Sequence, residues 1–197
     1  MTSREHRHVG KRAVLMLAVV VATLMACSGA ALAVTVVDCS SLLQDPLAPL
    51  CEGTEQDDDI LGRGAEDTIL AFGGNDTVHA NGADDHVDAG VGDDEVYGGA
   101  GPDSLAGGPD DDNLFGGKGG DSLTDYPNSY ADHDELRGGG GNDRLEAFDN
   151  DYNDTLVCGP GNDDIVVFDL NTLLLKHDEI SATCEHRIPG FKLVPRQ

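Results

Sequence analysis

An aspartate returns every nine residues through the middle of this chain, at Asp58, Asp67, Asp76, Asp85, Asp94, Asp103, Asp112 and Asp121. Longer-spaced copies follow at Asp134, Asp143, Asp154 and Asp163. Two residues after each comes an aliphatic: Ile60, Ile69, Val78, Val87, Val96, Leu105, Leu114, Leu123, Leu136, Leu145, Leu156 and Ile165. Carboxylates at a fixed interval lend themselves to one kind of chemistry. If the chain coils so that they line an edge, they repel unless a cation sits between them. The residues ahead of each Asp are rich in Gly, which permits positive φ and frees main-chain carbonyls to face the same spot. Several hard oxygens of this kind suit Ca2+, which takes about six to eight oxygen ligands. Mg2+ fits less well, because it holds its water and demands octahedral geometry.

Something must bring these residues together. Nine residues to a line from Gly53, the chain reads GTEQDDDIL, GRGAEDTIL, AFGGNDTVH, ANGADDHVD, AGVGDDEVY, GGAGPDSLA, GGPDDDNLF and GGKGGDSLT, ending at Thr124. A longer unit DYPNSYADHDELR (125–137) precedes GGGGNDRLE (138–146), AFDNDYNDTLV (147–157) and CGPGNDDIV (158–166), and Asp178-Glu179-Ile180 reads as a last, degenerate copy. Each unit divides into a turn and a short strand with one inward aliphatic. Such a strand is too short to be stable alone, so the units must stack. Two units make one coil, which places turns of units n and n+2 on the same edge. One inward aliphatic per unit is little to set against the entropy of so much glycine and the carboxylate repulsion. The metal-free repeat is therefore expected to be largely disordered and to fold on binding its ion.

The units resemble the repeats-in-toxin (hemolysin-type) nonapeptide, Gly-Gly-x-Gly-x-Asp-x-aliphatic-x. Residues 98–106, 116–124 and 138–146 match it fully, 158–166 differs only by Cys158 at the first Gly, and the likeness extends over 53–166. The resemblance implies an all-β, right-handed parallel β-roll (a β-solenoid) with Ca2+ as cofactor. It also implies that the sixth-position Asp and carbonyls of the Gly turns share each ion between units n and n+2. Carried onto this chain, the metal residues are Asp76, Asp85, Asp94, Asp103, Asp112, Asp121, Asp143 and Asp163. The turn residues with them are Gly90, Gly92, Gly98, Gly99, Gly101, Gly107, Gly108, Gly116, Gly117 and Gly119. The expected partners are Asp76 with Asp94, Asp85 with Asp103, Asp94 with Asp112 and Asp103 with Asp121. Gln56 and Ala65 replace the last turn Gly of the first two units, so the ligand set does not extend to Asp58 and Asp67.

Composition narrows the partners. The chain has 37 Asp+Glu against 12 Lys+Arg, a formal charge of −25 and a pI near 4.2, which argues against nucleic acid or anionic lipid. With 5% aromatics and no Trp it lacks the usual material of a broad enzyme core. No Gly-x-Ser-x-Gly, His-Glu-x-x-His or phosphate loop is present, and the acids follow the repeat rather than a catalytic pair. A monomeric, non-enzymatic Ca2+-binding protein is expected. One rival is an adhesin or matrix module that uses loop 125–137 to contact cell-surface or matrix polysaccharide. The other is a polysaccharide-modifying enzyme on the same scaffold. Asp57, Asp84, Asp93, Asp110 and Asp111 read as a solvated acidic face. His79, His86, His133 and His177 fall at different registers and define no site. Asn75 and Asn153 head glycosylation-type triplets that are by-products of the repeat.

The ends read differently. Arg4, Arg7, Lys11 and Arg12 precede an uncharged run from Ala13 to Val37 containing Ala31-Leu32-Ala33, which reads as a secretory signal over 1–33. The alternatives are a lipoprotein acylated at Cys27 and a membrane anchor over 13–37. Without 1–33 the balance is 8 Lys+Arg against 36 Asp+Glu, or −28. Cys39, Cys51, Cys158 and Cys184 then suggest two disulfides in an oxidising compartment. Four cysteines allow three connectivities; local pairing, Cys39–Cys51 and Cys158–Cys184, is favoured because one pair flanks each end of the repeat. Free or zinc-bound thiols are the alternative. Segments 34–52, too short for a catalytic domain, and 167–197 are expected to be small disulfide-tied caps over the open ends of the roll.

Overall fold

A computed structural model describes residues 34–39, 50–125, 132–147, 154–168, 179–181, 183–184 and 186–189. The proposed signal peptide, Cys27, the glycosylation-type Asn153, His177 and residues 126–131 of the 125–137 insertion lie outside the described residues. Among the described residues no helix is long and apolar enough to cross a membrane.

Among the described residues, sixteen short strands run from Thr35–Asp38 to His186–Pro189. Odd-numbered strands form one eight-stranded parallel sheet and even-numbered strands form the other. Successive strands thus alternate between sheets, and each pairs with the strand one full coil away. The register joins Ile60 to Val78, Val78 to Val96, Val96 to Leu114, Leu114 to Leu136 and Leu136 to Leu156. On the opposite sheet it joins Cys51 to Ile69, Ile69 to Val87, Val87 to Leu105, Leu105 to Leu123, Leu123 to Leu145 and Leu145 to Val166. The fold is the expected β-solenoid.

Its interior is one side chain deep from each sheet. Ile60, Val78, Val96, Leu114, Leu136 and Leu156 face Ile69, Val87, Leu105, Leu123, Leu145 and Val166, all fully buried in one cluster. The flanking strand residues point outward, as strand alternation requires. One row of them stacks: His79 lies on Tyr97 with ring centroids 4.8 Å apart, and Tyr97 on Phe115 at 4.9 Å.

The ends of the solenoid are continuous with its sheets. Thr35–Asp38 pairs with Asp58–Leu61, and Leu50–Thr54 pairs with Thr68–Phe72. At the other end Glu179–Ile180 extends the first sheet and His186–Pro189 the second, so Ile180 takes the aliphatic register expected of the degenerate copy. Both local disulfides form, with Cα atoms 5.8 Å apart for Cys39–Cys51 and 5.1 Å for Cys158–Cys184. Cys51 and Cys158 are themselves core residues.

The turns stack as tightly as the strands. Gly101 and Gly119, one coil apart at the fourth position, have φ of 135° and 145°, and a Cβ on Gly119 would run into the Gly101 carbonyl. Ala83 stands at the same position one coil below Gly101 and is forced to φ 85°. An L-residue there costs about 1–2 kcal/mol. Ala83→Gly should therefore raise stability by about 1 kcal/mol, and Gly119→Ala should lower it by more, both read by denaturant unfolding with Ca2+ present.

Candidate metal centre

The sixth residue of each unit sits where the turn enters its strand. Two units per coil therefore distribute these aspartates over two edges. One row is Asp58, Asp76, Asp94, Asp112, Asp134 and Asp154; the other is Asp67, Asp85, Asp103, Asp121, Asp143 and Asp164. All are buried.

A single bond repeats along both rows. The N–H of each aspartate donates to Oδ1 of the aspartate one coil later: Asp58 to Asp76 at 2.7 Å, Asp76 to Asp94 at 2.7 Å and Asp94 to Asp112 at 2.9 Å. In the second row Asp85 donates to Asp103, Asp103 to Asp121 and Asp121 to Asp143, each at 2.9 Å. The expected n and n+2 partners are thus neighbours in the stack.

The second oxygen is different. Oδ2 of Asp76, Asp85, Asp94, Asp103, Asp112, Asp121, Asp143 and Asp164 is buried and accepts no hydrogen bond from the protein. A buried carboxylate oxygen left so is costly unless a cation meets it. The surroundings suit one. A Cβ on Gly98 would lie 2.5 Å from Asp103 Oδ2 and 2.8 Å from the Gly116 carbonyl, and one on Gly116 would lie 2.5 Å from Asp121 Oδ2 and 2.6 Å from the Gly138 carbonyl. First-position glycine thus leaves a space bounded by carboxylate and carbonyl oxygens. Among the described residues no group of three or more His, Cys, Asp or Glu side chains makes a ready metal site. A cation here must take carbonyl as well as carboxylate oxygens, which is hard-ion chemistry.

Burial holds these carboxyls far above the usual range. It pushes Asp112 up to about 9, Asp85 and Asp94 to about 7, and Asp76 and Asp121 to about 6. Asp103 and Asp143 are raised for the same reason. The N–H bond from the previous coil opposes the shift, and neighbouring carboxylates add to it. Burial without an ion thus shifts each of these carboxyls toward its protonated form.

Two solenoid sheets joined by stacked Gly-Asp turns, with rows of carboxylate oxygens awaiting a cation, define a calcium-type β-roll. The model of the RTX calcium-binding nonapeptide repeat (4 copies) matches residues 52–87 and 88–123. Residues 52–123 thus carry RTX calcium-binding nonapeptide repeats, and the ion that this repeat binds is Ca2+. Among curated proteins and solved structures, none matches it.

The structure moves one expected residue. Asp163 is exposed, and Asp164 is the buried member of the row, accepting the Asp143 N–H at 3.0 Å. Arg144 pairs with Ile165 and Leu145 with Val166, so this unit carries one residue more in its turn than the nonad count allows, and Val166 rather than Ile165 enters the core. Of the expected acidic face, Asp84, Asp93, Asp110 and Asp111 are exposed and Asp57 is half-buried. Asp57, Asp93 and Asp111 form a file on one edge, where the Asp111 N–H donates to Asp93 Oδ1 at 3.3 Å and the His133 N–H to Asp111 Oδ1 at 2.9 Å, whereas Asp84 lies beside Asp85 on the other edge. His79, His86 and His133 lie on separate surfaces of the solenoid. Buried Asp125 and Asp132, within the 125–137 insertion, fall outside the nine-residue phase, which is why the spacing did not single them out.

The raised carboxyls set a pH dependence. Their folded pKa lies above the unfolded 3.8, so protonation stabilises the metal-free fold fully below about pH 4 and is lost as pH rises through about 6 to 9. In EDTA, β structure by circular dichroism should be greatest near pH 4 and fall across that window. Ca2+ affinity should run the opposite way, tightening up to about tenfold per pH unit for each proton displaced.

Proposed function

We propose that this is an exported, non-enzymatic Ca2+-binding protein whose β-roll folds on its ion. One observation carries the reading: the repeated buried Oδ2 atoms without a donor from the chain, set at Asp103 and Asp121 beside a main-chain carbonyl of the next coil. The residues that would hold Ca2+ are Asp76, Asp85, Asp94, Asp103, Asp112, Asp121 and Asp143, with Asp164 in place of Asp163. Carbonyls of the glycine turns from Gly90 to Gly119 complete the set. Bound Ca2+ supplies the positive charge that lets adjacent coils carry ionised carboxylates in contact. The chain itself contributes the N–H that orients each carboxylate, the glycines that keep the space open, and the aliphatic row that sets coil spacing. Two disulfides and the segment 1–33, read as a signal, fit an oxidising, Ca2+-rich surrounding. Segments 34–52 and 167–197 would then serve as disulfide-tied ends.

The test is spectroscopic and calorimetric. Most of the β signal should be lost in EDTA and return with Ca2+, with heat of binding for several ions. Asp103→Asn and Asp121→Asn should each weaken Ca2+ binding about tenfold or more, whereas exposed Asp84→Asn should change it less than about twofold. An unchanged spectrum in EDTA together with no binding heat would overturn the proposal.

A further inference from the structure

Asp58 and Asp67 differ from the rest of their rows. Asp58 Oδ2 accepts the Thr54 N–H at 2.6 Å and the Thr54 hydroxyl at 2.9 Å. Asp67 Oδ2 accepts the Arg63 N–H at 2.6 Å, and Arg63 Nε donates to Asp67 Oδ1 at 2.6 Å. Arg63 Nη2 also donates to the Glu66 carbonyl at 2.8 Å. The guanidinium therefore meets one carboxylate oxygen and one main-chain carbonyl of the same turn. Those are the two kinds of oxygen that the later turns offer to an ion.

The backbone supports the same distinction. The second turn position is left-handed from the third unit onward, at Phe72 (φ 78°), Asn81 (80°), Gly90 (113°), Gly99 (110°) and Gly108 (123°), but not at Thr54 or Arg63. Where it is left-handed, its N–H can run along the stack, as Gly90 does to the Gly107 carbonyl at 2.9 Å. At Thr54 and Arg63 the N–H turns to the carboxylate instead. Both oxygens of Asp67 are thus met from within its own turn, whereas Thr54 meets only Oδ2 of Asp58, whose buried Oδ1 accepts no hydrogen bond.

We infer that Arg63 is the resident cation of the Asp67 turn, with Thr54 holding Oδ2 of the neighbouring Asp58, so that the first repeat coil forms without Ca2+ and templates the coils that require it. The guanidinium fork suits this role, because it carries fixed charge and meets two oxygens at once. The Cys39–Cys51 disulfide fastens the same coil, with Cys51 in register with Ile69. The inference rests on the reading of the later turns as Ca2+ sites.

Hydrogen exchange on the whole protein, with calorimetric ion counts, tests it. In EDTA, amides of 58–70 should exchange at least about tenfold more slowly than those of 94–124, and Ca2+ should slow the second group far more than the first. Asp67→Asn should leave the number of bound Ca2+ ions unchanged, whereas Asp85→Asn should lower it. Arg63→Gly, which restores the repeat consensus, should erase the protection of 58–70 in EDTA and add an ion in Ca2+. Loss of an ion in Asp67→Asn, or equal exchange of the two segments in EDTA, would overturn the inference. If Arg63→Gly fails to fold even in Ca2+, the Asp67→Asn and Asp85→Asn comparison still decides. Failure of the wild-type chain to bind Ca2+ would instead overturn the reading of the later turns, while protection of 58–70 in EDTA is read independently.

Discussion

Each row aspartate accepts the N–H of the aspartate one coil earlier, and this bond brings carboxylates into a file at the spacing of β-strands, about 4.8 Å. Two unit charges about 5 Å apart repel by roughly 3 kcal/mol at an effective dielectric of about 20. No stack of several coils can carry that repulsion at every step. The charge has to be removed or answered, and the chain contains the means for three solutions. A proton can occupy the carboxyl, which is what the raised pKa of Asp112, Asp94 and Asp85 expresses. A cation can be drawn from solution, as the family of the repeat requires. A side chain can supply the charge, as Arg63 does for Asp67.

The rest of the architecture follows from keeping this file intact. Coils can stack at strand spacing only if turns stack at the same spacing, and carbonyl then meets α-carbon at positions such as Gly101 and Gly119. Glycine there leaves almost no room for side chains in the turn, so hydrophobic burial is confined to one aliphatic per strand. That narrow core is regular but weak, because each residue meets chiefly its counterparts one coil away. Regularity and weakness together make the fold depend on the charge solution at the edge. The same regularity aligns outward residues into files, among them the ring stack of His79, Tyr97 and Phe115.

Most of this was legible in the sequence because a stacked repeat maps period directly onto space. The nine-residue recurrence of Asp58 through Asp121 gave the alternation between two sheets, the eighteen-residue pairing and the core row without tertiary information. It failed where the period did. The unit beginning at Cys158 reads as a nonad, yet its turn takes an extra residue, and Asp164 enters the row while Asp163 turns to solvent. Asp-Asp at 163–164 offers the same residue type in both phases, so spacing had nothing with which to choose. The role of Arg63 was hidden for another reason. In the sequence it is one substitution in a glycine-rich turn, and only the folded turn shows its guanidinium reaching back to Asp67 four residues on.

The distribution of positive charge explains why the ion must come from outside. Residues 53–166 contain four basic side chains, Arg63, Lys118, Arg137 and Arg144. Arg137 pairs with Glu135 and Arg144 with Glu146, each on the outer face of its own strand and away from the buried rows. Lys118 is exposed at the end of the strand Asn113–Lys118. Among these four, only Arg63 is bound to a row aspartate, and it lies in the first coil. From Asp76 onward the rows continue with no basic side chain of this set against them, so each added coil adds charge that none of these four neutralises. A structure built this way is complete at its first coil and conditional beyond it, and the condition is the concentration of a divalent ion that prefers oxygen.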